Sequence, residues 1–208
     1  MMICTSTSGK FLQSLTRWWA VALVVVLTLT CFGVIERATA AGPWRGQIVD
    51  KETGKPLEGA VVLATWYKAY STHGGWGGAG YHDSEEVVTD TNGRFIIQSK
   101  QTWTINPFST IKGPEFYISK PGYGQWQFEG QDRWSKDALE SEEQRKQTWQ
   151  KFVGEGVTLE LPRLSSRDAR LQFLKRPGGE IPSDRMPKYL EALDQERINL
   201  GLKPGYVQ

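Results

Sequence analysis

The hydrophobic positions of this chain change rhythm three times. Trp18 to Ile35 is an apolar run without a single charge, preceded by Lys10 and Arg17. From Trp44 to Leu164, short apolar runs alternate with clusters of Gly, Asn, Asp and Pro, which predicts short strands joined by tight turns. After Leu164 the apolar residues recur at helical spacing.

Within the middle region the predicted strands are Trp44–Val49, Ala60–Tyr67, Glu85–Thr89, Arg94–Ser99, Glu115–Ser119 and Gly156–Leu161. The second is mostly apolar, as suits a strand covered on both faces. In the last, Val157, Leu159 and Leu161 alternate with Thr158 and Glu160, the pattern of a half-buried strand. Turn chemistry separates them. Asp50-Lys51-Glu52-Thr53-Gly54 follows the first strand and is expected to sit on the surface with Asp50 and Glu52 solvated. Asn92-Gly93 predicts a tight hairpin between the strands at 85–89 and 94–99. Lys120-Pro121-Gly122-Tyr123 predicts a type II turn, with Pro fixing one φ and Gly supplying a positive one. Six or seven such strands predict a β-sandwich rather than a parallel sheet.

Two stretches break the scheme. Thr72–Asp83 carries five glycines in twelve residues and is expected to be a mobile loop. Asp132–Phe152, rich in Glu, Gln and Lys and free of Gly and Pro, predicts an inserted helix. Its apolar positions, Trp134, Ala138, Leu139, Trp149 and Phe152, make a thin stripe, so the helix is expected to lie loosely on the sandwich. In the tail, Ser165-Ser166-Arg167-Asp168 resembles a capping box, and Ser183 or Asp184 can cap a later helix with Pro187 in its first turn. Gly201, Leu202 and Pro204 predict a Schellman ending. The apolar stripe of that tail, Met186, Tyr189, Leu190, Leu193 and Leu200, is expected to pack on the sandwich or on a partner.

Composition sharpens this picture at the N-terminus. Ala38-Thr39-Ala40 places small residues at Ala38 and Ala40, where a signal peptidase reads, just after the apolar run. Residues 1–40 are therefore expected to be a secretory leader, the alternative being an uncleaved membrane anchor. A lipid anchor on Cys31 fits less well, because Thr30 precedes it. The leader holds three basic residues (Lys10, Arg17, Arg37) and one acid (Glu36), which leaves 22 of each sign in the remainder. A neutral exported chain offers no electrostatic surface for nucleic acid. Both cysteines, Cys4 and Cys31, also leave with the leader, so disulfides and thiolate metal sites are excluded from the mature chain.

Three segments carry a resemblance. GQIVDKETGKPLEGAVV from Gly46, VVTDTNGRF from Val87 and YISKPGYG from Tyr117 are similar to the carboxypeptidase regulatory-like domain. That resemblance covers about Trp44 to Leu161 and implies a seven-stranded, transthyretin-like (Ig-like) β-sandwich of a mostly non-catalytic family. The expected organisation is a leader at 1–40, the sandwich at 41–164 with a helical insertion at about 132–152, and a helical extension at 165–208. The expected function is an exported, non-catalytic module for protein or glycan binding or assembly at the cell envelope. Its compartment is periplasmic, envelope or secreted; no cofactor is expected, and membrane contact only through an uncleaved leader.

Candidate chemistry is sparse. His73 and His82, with Asp83 beside the second, are the residues a metal-dependent enzyme would have to use; they form the competing reading. A catalytic zinc site needs a third protein ligand and a supporting shell, and these are the only histidines. The chain ends Pro204-Gly205-Tyr206-Val207-Gln208, whereas the hydrolases of the transthyretin-like group are expected to end Tyr-Arg-Gly-Ser. No G-x-S-x-G element is present. Aromatic residues are the remaining lead. Trp76 and Tyr81 lie in the glycine-rich stretch, and Trp103 and Phe108 in the segment before the strand at Glu115. Exposed aromatics on loops at one end of a sandwich suit a sugar ring or a protein partner.

Overall fold

The computed structural model describes residues 42–72, 75–100, 104, 106, 108–128, 142–178 and 180–207. Ala38 and Ala40, Trp134, and the first half of the expected inserted helix lie outside the described residues. In chain order the strands are β1 (Trp44–Asp50), β2 (Val61–Thr72), β3 (Gly75–Val88), β4 (Arg94–Ile97), β5 (Ser109–Ser119), β6 (Trp126–Phe128) and β7 (Val157–Leu161). The helices are α1 (Glu142–Val153), α2 (Arg167–Gln172) and α3 (Pro187–Asn199).

The strands form two sheets, ordered β4-β1-β7 and β3-β2-β5-β6. β1 pairs antiparallel with β4 and parallel with β7. β2 pairs antiparallel with both β3 and β5. The two-residue repeat of each strand explains how the sheets meet. Trp44, Ile48, Ile97, Leu159 and Leu161 from the smaller sheet face Val62, Ala64, Trp66, Phe116, Ile118 and Phe128 from the larger. The architecture is a mainly β, seven-stranded sandwich. β6 escapes sequence reading because Trp126-Gln127-Phe128 is too short to show a period.

Three turns behave differently from one another. Lys120–Tyr123 is a turn as expected, with the Tyr123 N–H donating to the Lys120 carbonyl at 3.0 Å, and it lies between β5 and the strand β6 that pairs with it. Asn92-Gly93 is not a hairpin turn. β3 and β4 lie in different sheets, and the turn carries the chain from one layer to the other. Asp90 Oδ1 accepts the N–H groups of Asn92 and Arg94 at 2.9 and 2.8 Å, which replaces the ladder bonds a hairpin would supply. The turn after β1 is also corrected in one respect, since Asp50 is buried rather than solvated. Its Oδ1 accepts the N–H groups of Glu52 and Thr53, and its Oδ2 accepts the Tyr123 hydroxyl at 3.0 Å. The Thr53 amide leads in holding this carboxyl below its usual range.

The inserted helix is the larger correction. Phe152 is fully buried and stacks on Phe116 at 4.7 Å between ring centroids. Trp149 lies 6.0 Å from Trp44 and 6.3 Å from Phe128. Two aromatic rings, each of large area, bring α1 into the core although its mean composition is polar. Trp44 and Trp66 sit in the same aromatic cluster, 5.7 Å apart. Among the described residues their indole N–H groups have no acceptor; a buried donor left unpaired costs roughly 1–3 kcal/mol.

The tail covers the opposite face of the larger sheet. Met186, Tyr189, Leu190 and Leu193 pack with Val61, Leu63 and Tyr117. Ser166 caps α2 by accepting the Ala169 N–H, whereas α3 takes its cap from a distant strand. Ser183–Arg185 forms a short 3₁₀ turn, and Glu86 of β3 accepts the Lys188 and Tyr189 N–H groups at 3.0 and 2.7 Å. Burial pushes the Glu86 carboxyl up against these bonds. The Schellman ending is present: Leu202 N–H donates to the Arg197 carbonyl at 2.8 Å.

Past that ending the chain folds back around Asp194, whose carboxylate accepts the N–H groups of Gly205, Tyr206 and Val207. Burial raises this carboxyl, but the three amides outweigh it and hold it below its usual value. The stability it contributes is therefore full above the ordinary aspartate range and lost as pH falls through the lowered value. The protection factors of the Tyr206 and Val207 amides, taken relative to the intrinsic exchange rate at each pH, should fall as pH drops through the lowered Asp194 value, and Asp194→Asn should remove most of that pH dependence. An unchanged profile in the variant would contradict this.

Candidate functional site

One end of the larger sheet runs past the core. Residues 61–66 of β2 are all buried, whereas 67–71 are half-buried or exposed. At this boundary all three neighbouring strands are irregular. Pairing of β2 with β3 skips His82 between Asp83 and Tyr81, and pairing with β5 slips between Glu115 and Lys112. Gly113 makes the slip in β5 possible: its φ is +113°, and a Cβ there would stand 2.8 Å from the Thr65 carbonyl oxygen. Bulges stacked across three strands mark off a ribbon made of 67–72, 75–81 and 109–112.

The glycine-rich stretch belongs to this ribbon. Within the stretch expected as a loop, Thr72–Asp83, Thr72 ends β2 and Gly75–Asp83 is strand β3 of a long hairpin, with Tyr70 opposite Gly78 and Lys68 opposite Gly80. A ladder is built from main-chain groups, so glycine weakens a strand without forbidding it. The core half of β2 holds the register.

Two aromatic rings stand at the end of the ribbon. Tyr70 is 42% exposed and Phe108 is 57% exposed. Ser71 N–H donates to the Phe108 carbonyl at 2.8 Å, which ties the two positions together. Asn106 Oδ1 accepts the Phe108 N–H at 2.9 Å and shapes the turn into β5. Lys68 Nζ lies 5.6 Å over the Tyr70 ring. Sequence reading does not place Tyr70 on the contact surface, because the stretch after Tyr67 reads as the approach to a loop.

The other expected site residues are distributed differently. Trp76 is on β3 opposite Ser71, and its side chain lies outside the described residues, as do Trp103 and His73. Tyr81 packs against the tail cluster, and its hydroxyl lies 2.9 Å from Ser84 Oγ, which itself donates to the Arg185 carbonyl. It is a structural residue joining β3 to the tail, a correction of its expected place on a contact loop. His82 is exposed. Asp83 is engaged by Lys100 Nζ at 2.5 Å and by the Ser84 N–H at 2.8 Å. Burial raises the Asp83 carboxyl, yet these partners hold it below its usual value. Among the described residues no three His, Cys, Asp or Glu side chains are grouped as metal ligands.

A crevice between the β5–β6 turn and the tail is lined by Lys120, Tyr123, Gln125, Arg170 and Glu196, with room for about one water. It is a docking seam. Arg170 holds Glu196 through two bonds of 2.6 and 2.7 Å, and Glu196 accepts the Gly122 N–H. No known protein family, curated protein or solved structure matches this chain.

Proposed function

We propose that this chain is an exported, non-catalytic binding or assembly module of the cell envelope, built on a transthyretin-like sandwich of the carboxypeptidase regulatory-like kind. The carrying observation is the pair of exposed rings, Tyr70 and Phe108, at the end of a ribbon that extends beyond the core. Aromatic side chains presented on a strand, as Tyr70 is, and on the bonded turn beside it, as Phe108 is, suit the face of a sugar or an apolar protein surface. The family reading is supported by the three turns at Asp50–Gly54, Asp90–Gly93 and Lys120–Gly122, each placed between strands. The export reading rests on the apolar leader sequence with Ala38 and Ala40. The metal-dependent alternative draws no support from Asp83, whose carboxylate is already occupied.

The double variant Tyr70→Ala, Phe108→Ala should melt within about 0.5 kcal/mol of wild type, as exposed positions usually do. Its retention on isolated peptidoglycan sacculi or on immobilised envelope extract should fall sharply. Equal retention by both proteins, or none by wild type on either support, would sink the proposal.

A further inference from the structure

The Asn92-Gly93 pair lies in the crossing between the two sheets, away from the aromatic ribbon. Its two halves are placed differently. Asn92 is exposed, and among the described residues no hydrogen bond holds its side-chain amide. Gly93 is buried, and its N–H donates to the Asp90 carbonyl at 2.8 Å. No Cβ shields a glycine nitrogen, so an asparagine before glycine is the side chain most open to attack by its own main chain. The electrophile is therefore free and the nucleophile is held. Asp90 does the holding. Besides the bond to Gly93, its Oδ1 accepts the Asn92 and Arg94 N–H groups, and its own N–H donates to the Arg94 carbonyl at 3.1 Å. From β1, Gln47 Nε2 adds a bond of 2.9 Å to the Asn92 carbonyl. Turning the Gly93 nitrogen onto Asn92 Cγ means breaking these bonds. The carboxylate beside that nitrogen also opposes the negative charge it must take.

We infer that Asn92-Gly93 is a self-modification site that the folded turn keeps closed, and that its product holds the turn open. In the open turn the Gly93 nitrogen gives up its proton and attacks Asn92 Cγ. The N–Cγ bond forms, the Cγ–Nδ2 bond breaks, and Nδ2 leaves as ammonia carrying the equivalent of that proton. Water then adds across one of the two C–N bonds of the cyclic imide. One opening leaves aspartate; the other leaves isoaspartate, in which the main chain runs through Cγ. Nothing but water is consumed. The isoaspartate chain is one carbon longer just before Gly93, where the fit is tight. The Gly93 carbonyl accepts the Ile48 N–H at 2.8 Å, and even a Cβ at Gly93 would stand 2.4 Å from the Ile48 carbonyl oxygen. The lengthened turn cannot close on β1. A transient opening thus becomes a permanent mark at the crossing between the sheets.

The test is peptide mass mapping of the purified chain held in mildly alkaline buffer, scoring Asn92 for the amide-to-acid mass gain and for isoaspartate. The folded chain should react at least about tenfold more slowly than the same chain in denaturing urea, as expected of a turn that opens locally. Asp90→Ala removes two bonds to a charged acceptor and should speed the reaction of the folded chain about tenfold. Gln47→Ala removes a single exposed bond and should speed it about threefold. Tryptophan fluorescence checks that each variant is folded, and should Asp90→Ala not fold, Gln47→Ala carries the comparison. The isoaspartate product, separated by its added charge, should unfold at a lower guanidinium concentration than the unreacted chain. Three results would each overturn the proposal: a folded wild type that reacts as fast as the unfolded chain, folded variants that react no faster than wild type, or an isoaspartate product as stable as the starting chain.

Discussion

Phe152→Ala lowers the stability of the whole sandwich by about 3–5 kcal/mol, the range for deleting a buried aromatic ring. Phe152 is fully buried, stacks on Phe116 and also touches the rings of Trp126 and Phe128. Removing it opens a cavity between α1 and the larger sheet, and the neighbouring rings cannot close it without leaving their own contacts. Guanidinium unfolding followed by tryptophan fluorescence reports the loss as a lower midpoint with an unchanged slope. A change below about 1 kcal/mol would mean that α1 lies outside the cooperative unit, as its polar composition first suggests. Phe152→Leu, which keeps most of the volume, should recover more than half of the loss.

The second large effect is expected at Gly93, and Gly54 serves as its internal control. Both have nearly the same left-handed backbone, with φ of +69° and +68°. An alanine at either pays the conformational cost of that region, about 1–2 kcal/mol. Their surroundings differ. A Cβ at Gly54 meets nothing within 4 Å, whereas at Gly93 it would stand 2.4 Å from the Ile48 carbonyl oxygen and 3.0 Å from the Leu57 amide nitrogen. Those backbone atoms are fixed by their own bonds, Leu57 N–H to the Ile48 carbonyl and Ile48 N–H to the Gly93 carbonyl. Gly93→Ala should therefore cost about 1–3 kcal/mol more than Gly54→Ala, the usual range for overpacking. Equal losses in thermal melts would show that strain alone requires glycine at Gly93.

Gly93 lies beside the segment Ile48 to Leu57, so the two turn motifs noticed separately along the chain support one another in space. Thr89 adds to this junction by accepting the Ala60 N–H and donating to the Leu57 carbonyl. A lone threonine after a strand carries no signal of that role. The same holds for Glu86, whose work as the cap of α3 becomes visible only when residues a hundred positions apart are brought together.

What the sequence by itself determined is local. Alternation in β7 set Leu159 and Leu161 inward, because side chains on a strand repeat every two residues, and the unbroken apolar run of β2 marked a strand covered on both faces. Turn chemistry placed Lys120–Tyr123 and the Gly201 ending, because each is satisfied by bonds within a few residues. Tertiary structure decided the rest. It put β3 and β4 in different sheets, since Asn-Gly specifies a reversal and is silent about which layer receives the next strand. It turned the glycine-rich stretch into a strand, since β2 provides the main-chain partners that those glycines lack in isolation. It drew Trp149 and Phe152 into the core, since a thin apolar stripe is enough when both of its rings meet other rings. And it left Tyr70 and Phe108 facing solvent at the end of the ribbon, which no pattern along the chain distinguishes from burial.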